Sequence, residues 1–298
     1  MVARQERDTV VVGCDGSWQS NRAVDVAARV AARRGCRLAL LVVTRSGSSA
    51  DGSLRGYAVE EVAVRARAHE TAQLAEERAL AQAPRLIVER VIGDVDGPSV
   101  RDLADRAVLL VLGAHGGEGQ RALSLNSPSE ELVRHLKVPI LIPGEAAPRP
   151  SRVPHLPHVV VGVDGRGGEE ELIGIAAGEA VARGCSLVIV RAVRMGEAGG
   201  GIARPDVWDE TWMAVHHADH TTSVSSRVVV SVGDPVAALT AECRPDDLLV
   251  VGTRGQGRLS GLVAGSVARG VLDAGECDVM VVPPAVQPRP WGVGRSAM

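Results

Sequence analysis

The chain contains the same sequence pattern twice. The clearest pair is TVVVGCDG at 9–16 and HVVVGVDG at 158–165, where an apolar run ends in Gly-x-Asp-Gly. Four further segment pairs recur in the same order: 32–43 with 181–193, 91–94 with 231–234, 107–116 with 246–255, and 137–143 with 277–283. Internal repetition over 298 residues predicts two domains that share one fold.

The spacing of the repeats locates the difference between the copies. Asp15 and Asp164 are 149 positions apart, whereas Gly93 and Gly233 are 140 apart, so the second copy is shorter between its second and third apolar runs. A Pro-rich stretch between the copies is typical of a linker. We therefore expect a first domain over 1–146, a linker over 147–157, a second domain over 158–286 and a tail over 287–298.

Short β-branched runs alternate with helical patterns in each copy. Hydrophobic residues make up 45% of the chain but aromatic residues only 2%, so the core must consist of Val, Leu, Ile and Ala. Continuous apolar strands joined by helices predict a parallel sheet that is covered on both faces. We predict strands at 9–13, 38–43, 86–91, 158–163 and 187–193, and a long helix over about 54–83. Ligands of such sheets bind beyond the carboxyl ends of the strands.

Composition and charge exclude several classes of protein. The net charge of −3 argues against a general nucleic-acid binder. The five cysteines are scattered without CxxC spacing, which argues against a disulfide framework or a zinc site. His216 and His220 are four apart, but we interpret them as a polar helix face and expect no metal site. No apolar run suggests a leader or a membrane span, so we expect a cytoplasmic protein that binds no membrane.

A glycine-rich loop follows the fourth apolar run of the second copy. It has the spacing Gly252-x2-Gly255-x9-Gly265-Ser266, and a helical pattern comes after it. Glycines allow positive φ and a close approach of the backbone to a ligand, and amides at a helix start favour an anion. The spacing matches neither a Walker A loop nor a dinucleotide-binding fingerprint. An alternative stays open, namely a flexible loop in which Ser266 only caps the helix.

This loop, together with VVVGCDGS at 10–17 and DVMVVP at 278–283, resembles the ATP-binding signature of the universal stress protein family. The resemblance extends over nearly the whole chain, once in each copy. It implies an α/β fold with a doubly wound five-stranded parallel sheet of strand order 3-2-1-4-5, similar to the adenine nucleotide alpha hydrolases. It also implies that the two domains pair within the chain, and it is compatible with a homodimer.

The resemblance implies ATP or another adenine nucleotide as the ligand, with or without Mg²⁺. Asp164 would accept a hydrogen bond from the adenine amino group or a ribose hydroxyl, although an Asp before Gly is also a common turn former. By position, the adenine and ribose contacts fall at Val163, Asp164 and Ala192, and the phosphate contacts at Gly252, Thr253, Gly255, Gly265, Ser266 and Val267.

The first copy departs from this signature. Its third loop glycine is replaced by Asn126, and Pro128 lacks a backbone N–H. The corresponding positions, which we expect to bind more weakly or not at all, are Asp15, Val43, Gly113, Gly116 and Ser127. The second copy has Glu169–Glu171 after its first turn, and these carboxylates disfavour a nearby triphosphate. We expect one nucleotide per chain, in the second domain.

No combination of residues at a suitable spacing indicates nucleophilic or acid–base catalysis. We therefore predict a stress-response protein that binds a nucleotide and acts as a binding or signalling module. Two alternatives stay open. One is an enzyme with at most weak ATP hydrolysis, and the other is a nucleotide-free scaffold for protein interactions.

Overall fold

The computed structural model describes residues 8–44, 54–114, 132–133, 136–145, 156–165, 169–193, 224–253 and 265–283. Within these ranges the chain divides into two compact units, the first ending at Pro143 and the second beginning at Gly144. No helix in the described ranges is both long enough and apolar enough to cross a membrane.

The first unit contains a parallel five-stranded sheet. Its order is β3-β2-β1-β4-β5, and each neighbouring pair is parallel. The central strands β1 and β4 are almost wholly buried, as their continuous apolar runs predict. The strands are β1 (Thr9–Gly13), β2 (Arg37–Val43), β3 (Val88–Gly93), β4 (Ala107–Val111) and β5 (Ile140–Ile142), and the helices are α1 (Trp18–Arg34), α2 (Leu54–Gln82) and α3 (Pro98–Arg106).

The second unit repeats this topology. Its order is β8-β7-β6-β9-β10, which is again 3-2-1-4-5 when the strands are counted within the unit. The predicted α/β fold with two doubly wound sheets is therefore confirmed. The strands are β6 (His158–Val163), β7 (Ser186–Val193), β8 (Ser226–Val232), β9 (Leu248–Gly252) and β10 (Asp278–Val282), and the helices are α4 (Glu169–Arg183), α5 (Pro235–Ala241) and α6 (Ser266–Ala274).

The third strand begins later than its apolar run predicts. We expected a strand over 86–91, whereas β3 spans Val88–Gly93. The backbone N–H of Leu86 donates to the carbonyl of Ala83 at 3.0 Å, so Leu86 belongs to the turn that follows α2. The Ile87 carbonyl then accepts from Leu38 N–H at 2.9 Å and starts the pairing with β2.

Side chains of the loop after β1 cap helix α1. The Ser17 hydroxyl accepts a hydrogen bond from the Ser20 N–H at 3.1 Å, and Asp15 Oδ1 accepts from the Ser17 N–H at 2.9 Å. Such bonds satisfy backbone donors that the first helical turn leaves without a partner. The helix is also tied to α2, where Arg78 contacts the Asp25 carboxylate at 2.5 Å.

We expect Ser17→Ala to lower the free energy of unfolding of the first domain by about 1 kcal/mol, because the cap on α1 is lost. Urea denaturation followed by circular dichroism would measure the change. Ser17→Thr keeps the hydroxyl and is the matched control, so it should retain most of the stability. Equal losses in the two variants would contradict the capping role.

Candidate functional site

Three neighbouring parallel strands of the second unit end at the same edge of the sheet. Strand β6 pairs with β9 on one side, where Gly162 lies opposite Val251, and with β7 on the other, where Val163 lies opposite Arg191. The carboxyl ends of these strands bring together five of the predicted positions, namely Val163, Asp164, Ala192, Gly252 and Thr253.

Thr253 follows β9 directly and is held by the neighbouring strand β10. Its backbone N–H donates to the Val282 carbonyl at 3.1 Å, and its hydroxyl donates to the same oxygen at 3.4 Å. These bonds fix the first residue of the glycine-rich loop against the sheet. Gly255, which is also a predicted phosphate contact, lies outside the described residues.

The turn after β6 has the conformation that its Asp-Gly pair predicts. Gly165 has φ +74°, and its counterpart in the first unit, Gly16, has φ +79°. The Gly165 N–H donates to a carboxylate oxygen of Glu169, which is the first residue of α4. This bond turns the Glu169 carboxylate back toward its own loop.

A buried arginine beside this turn was missed by the sequence analysis. Arg191 lies on β7, is 9% exposed, and packs its guanidinium group directly against Gly165. A side chain at Gly165 would collide with that group. The sequence did contain a feature that could have revealed Arg191. A charged residue stands within the apolar run LVIVRAV, at a position where the first copy has Val42. The structure thus adds a positive charge close to Asp164.

Helix α6 begins at a glycine, which has no side chain of its own to cap the helix. Its N-cap residue is Gly265, with φ −53° and ψ 163°, and among the described residues this N-cap makes no side-chain hydrogen bond to the first turn. By contrast, Asp234 caps α5 by accepting from the Ala237 N–H at 2.8 Å. Because φ at Gly265 is negative, this glycine does not serve a left-handed turn. Because Gly265 has no Cβ, no side chain at this position covers the backbone amides of Ser266 and Val267.

The start of α6 belongs to the same edge of the sheet. Ala268, one turn from Gly265, shares a buried cluster with Val251 near the end of β9 and Val190 near the end of β7. Helix α6 ends at Ala274, close to the start of β10 at Asp278, and it packs against β9 and β10. Its first turn is therefore directed toward the edge where these parallel strands end. The structure therefore brings Gly265, Ser266 and Val267 to the edge that carries Asp164 and Ala192.

The corresponding positions in the first unit are engaged in local structure. Gly113 follows β4, and a Cβ there would stand 2.8 Å from the backbone carbonyl carbon of Gln19 in α1. Asp15 accepts from the Ser17 N–H, and Val43 is the last residue of β2. The start of α1 thus occupies the space beside Gly113. Gly116 and Ser127 lie outside the described residues.

One thiol lies directly after β1, at the corresponding edge of the first unit. Burial raises the pKa of the Cys14 thiol to about 12, which fits a packing role for this residue after β1. Among the residues that the structure describes, no group of three or more His, Cys, Asp or Glu side chains is arranged to hold a metal ion. His216 and His220 fall outside that part of the chain.

Known proteins resemble this chain along nearly its full length. It is 31% identical to the universal stress protein Rv1996 of Mycobacterium tuberculosis, over 94% of this chain and 96% of that protein. In fold it resembles the crystal structure of a universal stress protein from Archaeoglobus fulgidus, with a TM-score of 0.64 and 17% identity over 94% of this chain and 99% of that one.

A shorter solved relative covers only one domain. The crystal structure of a universal stress protein in complex with cAMP is 28% identical over 43% of this chain and 96% of that one, with a TM-score of 0.35. Its ligand is a property of that protein. The sequence profile of the universal stress protein family matches residues 6–142 and again residues 156–283. The chain therefore belongs to the universal stress protein family and carries two domains of that family in tandem.

Proposed function

We propose that the second domain binds ATP or another adenine nucleotide, and that the chain acts as a stress-response binding or signalling module. The observation that carries this proposal is the glycine N-cap of α6, because this helix start is directed toward the sheet edge that carries Asp164 and Ala192. The sheet edge offers a polar acceptor, and the helix start offers backbone amides that no N-cap side chain covers. This combination suits a ligand that has a base at one end and phosphates at the other.

Each end of the ligand would meet a different kind of group. At the nucleoside end, the Asp164 carboxylate accepts from an amino or hydroxyl group, and the small Ala192 leaves room for the adenine ring. At the phosphate end, the amides of Ser266 and Val267 donate to phosphate oxygens, and the dipole of α6 adds about 0.3–1 kcal/mol. The Ser266 hydroxyl supplies a further donor.

The acidic start of α4 is compatible with an anionic ligand. Glu169 already accepts from the Gly165 N–H, so its carboxylate is directed into its own turn. The Arg191 guanidinium lies against the same glycine and offsets negative charge there. These two contacts weaken the objection that carboxylates near the site disfavour a phosphate group.

The first domain is proposed as a scaffold that binds nucleotide weakly or not at all. The support comes from Gly113, because the space that its Cβ would occupy is already filled by the backbone of Gln19. An enzymatic role has no comparable support in the described residues. The proposal therefore predicts one nucleotide per chain.

We expect isothermal titration calorimetry of the full chain to show one nucleotide bound per chain, and Gly265→Val to weaken binding more than about tenfold. The branched side chain would cover the amides at the start of α6, and each hydrogen bond to a charged group contributes about 1.5–3 kcal/mol. ATP, ADP and AMP would each be titrated with and without Mg²⁺. Circular dichroism would confirm that the variant folds.

A matched pair of variants separates the two domains. Ser266→Ala should weaken binding several-fold, because one donor to the phosphate is lost. Ser127→Ala changes the corresponding position of the first domain and should leave the affinity unchanged. Two equivalent sites, or wild-type affinity in Gly265→Val, would refute the proposal. Phosphate release that depends on a second-domain residue would instead favour the slow ATPase.

A further inference from the structure

Two buried cysteines of the second unit share one core cluster. Cys243 lies two residues after the end of α5 and is 8% exposed, and Cys277 directly precedes β10 and is 4% exposed. Both are free thiols, and both belong to the cluster that includes Ala268 and Val271 of α6. They lie at the amino-terminal edge of the sheet, opposite the edge proposed to bind nucleotide.

The two thiols are in direct contact. Cys277 is the hydrogen-bond partner of the Cys243 side chain, and this contact together with burial raises the pKa of the Cys243 thiol. The helices that lead to them also pack closely, since a Cβ on Gly270 of α6 would stand 2.6 Å from Val236 Cγ2 of α5. The packing of α5 against α6 and the shared core cluster are consistent with this contact between the two thiols.

Ordinary core packing does not require this pair. The first copy has the same fold, yet the segments that lead into its β4 and β5, 94–106 and 134–139, contain no cysteine. Two adjacent thiols at this place are thus a feature of the second domain alone.

We propose that Cys243 and Cys277 form a reversible dithiol–disulfide site that is oxidised by low-molecular-weight disulfides. One thiol loses its proton, and its sulfur attacks the small disulfide, which releases one small thiol and leaves a mixed disulfide. The second protein sulfur then attacks the first, and the second small thiol departs. Two protein S–H bonds are replaced by one S–S bond, and the oxidant takes up two electrons.

Burial sets the rate of this reaction. The thiolate is the attacking species, and it is scarce for a buried thiol with a raised pKa. Oxidation therefore requires transient opening of the loop between α5 and β9, and we expect it to take minutes to hours. The product would join the ends of two packed helices and restrict the unfolded chain, which raises the unfolding temperature.

Peptide mapping of the oxidised full chain tests the proposal. The reduced protein is incubated with oxidised glutathione, remaining thiols are alkylated, and tryptic peptides are identified by mass spectrometry. We expect the five thiols to fall to three, with one peptide pair that joins Cys243 to Cys277 and separates again on addition of dithiothreitol. The chain should remain unlinked to other chains on a non-reducing gel.

Variants supply the control. Cys277→Ser should abolish the loss of thiols, whereas Cys185→Ser, a cysteine of the same unit, should still lose two. The unfolding temperature should rise by several degrees on oxidation in the wild type and in Cys185→Ser only. A bond between other cysteines, a stable glutathione adduct, or five unchanged thiols would overturn the proposal. Because the wild-type peptide map is decisive, a variant that fails to fold does not affect the result.

Discussion

Replacing Asp247 by Ala is expected to lower the free energy of unfolding of the second domain by about 3 kcal/mol. Asp247 is 1% exposed and precedes β9. Its Oδ1 accepts from the His158 N–H at 2.8 Å, and its Oδ2 accepts from the Arg244 N–H at 2.8 Å. The truncation removes the acceptor from two backbone amides, and a buried donor without an acceptor costs about 1–3 kcal/mol.

Two comparisons would show that the loss comes from these bonds. Asp247→Asn keeps one acceptor oxygen and should lose roughly half as much, and Asp246→Ala removes the neighbouring, exposed carboxylate and should cost clearly less than Asp247→Ala. Hydrogen exchange followed by mass spectrometry would assign the loss to the peptides of β6 and β9. Unchanged protection of these peptides in Asp247→Ala would contradict the role of Asp247.

Gly113→Ala is expected to destabilise the first domain by about 2 kcal/mol, because the added methyl group has no room. It would stand 2.8 Å, 2.9 Å and 3.0 Å from the backbone carbon, Cβ and backbone oxygen of Gln19. Most of these are backbone atoms, so the start of α1 would have to shift. Urea denaturation would measure the loss.

The same variant also tests the role of the first domain. Gly93→Ala is the control within that domain, because its methyl group would meet only Ser99 Cβ at 4.0 Å. Gly113→Ala should leave the nucleotide stoichiometry of the full chain unchanged. A fall in bound nucleotide without a loss of stability would instead show that Gly113 cradles a ligand.

Local patterns account for the part of the fold that was predictable. The repeated apolar runs predict β1 and β6 to the residue, and the Ala- and Glu-rich stretch predicts α2 to within one residue of its end. Each of these features depends on neighbouring residues in the chain. Strand order came from the family resemblance, since the runs alone do not say which strands are adjacent.

Contacts between distant residues account for most of what the sequence did not reveal. The bond from Asp247 to His158 joins residues 89 positions apart, and Gly113 meets Gln19 only because β4 lies beside α1. Arg191 was visible as a charge within an apolar run, but its contact with Gly165 depends on the pairing of β6 with β7. The sequence predicted positive φ at the loop glycines, but φ at Gly265 is −53°. At this position the glycine matters because it has no side chain over the first turn of α6.

If the second domain binds nucleotide as proposed, the glycine N-cap of α6 has a consequence for the abundance of the protein in the cell. Where α1 and α5 are capped by their own side chains, α6 would receive its cap from the bound phosphate. A ligand at one hundred times its dissociation constant adds about 2.7 kcal/mol to the stability of the folded state. Falling nucleotide levels would therefore increase the unfolded fraction and speed proteolytic turnover, so the lifetime of the chain would follow the energy supply of the cell.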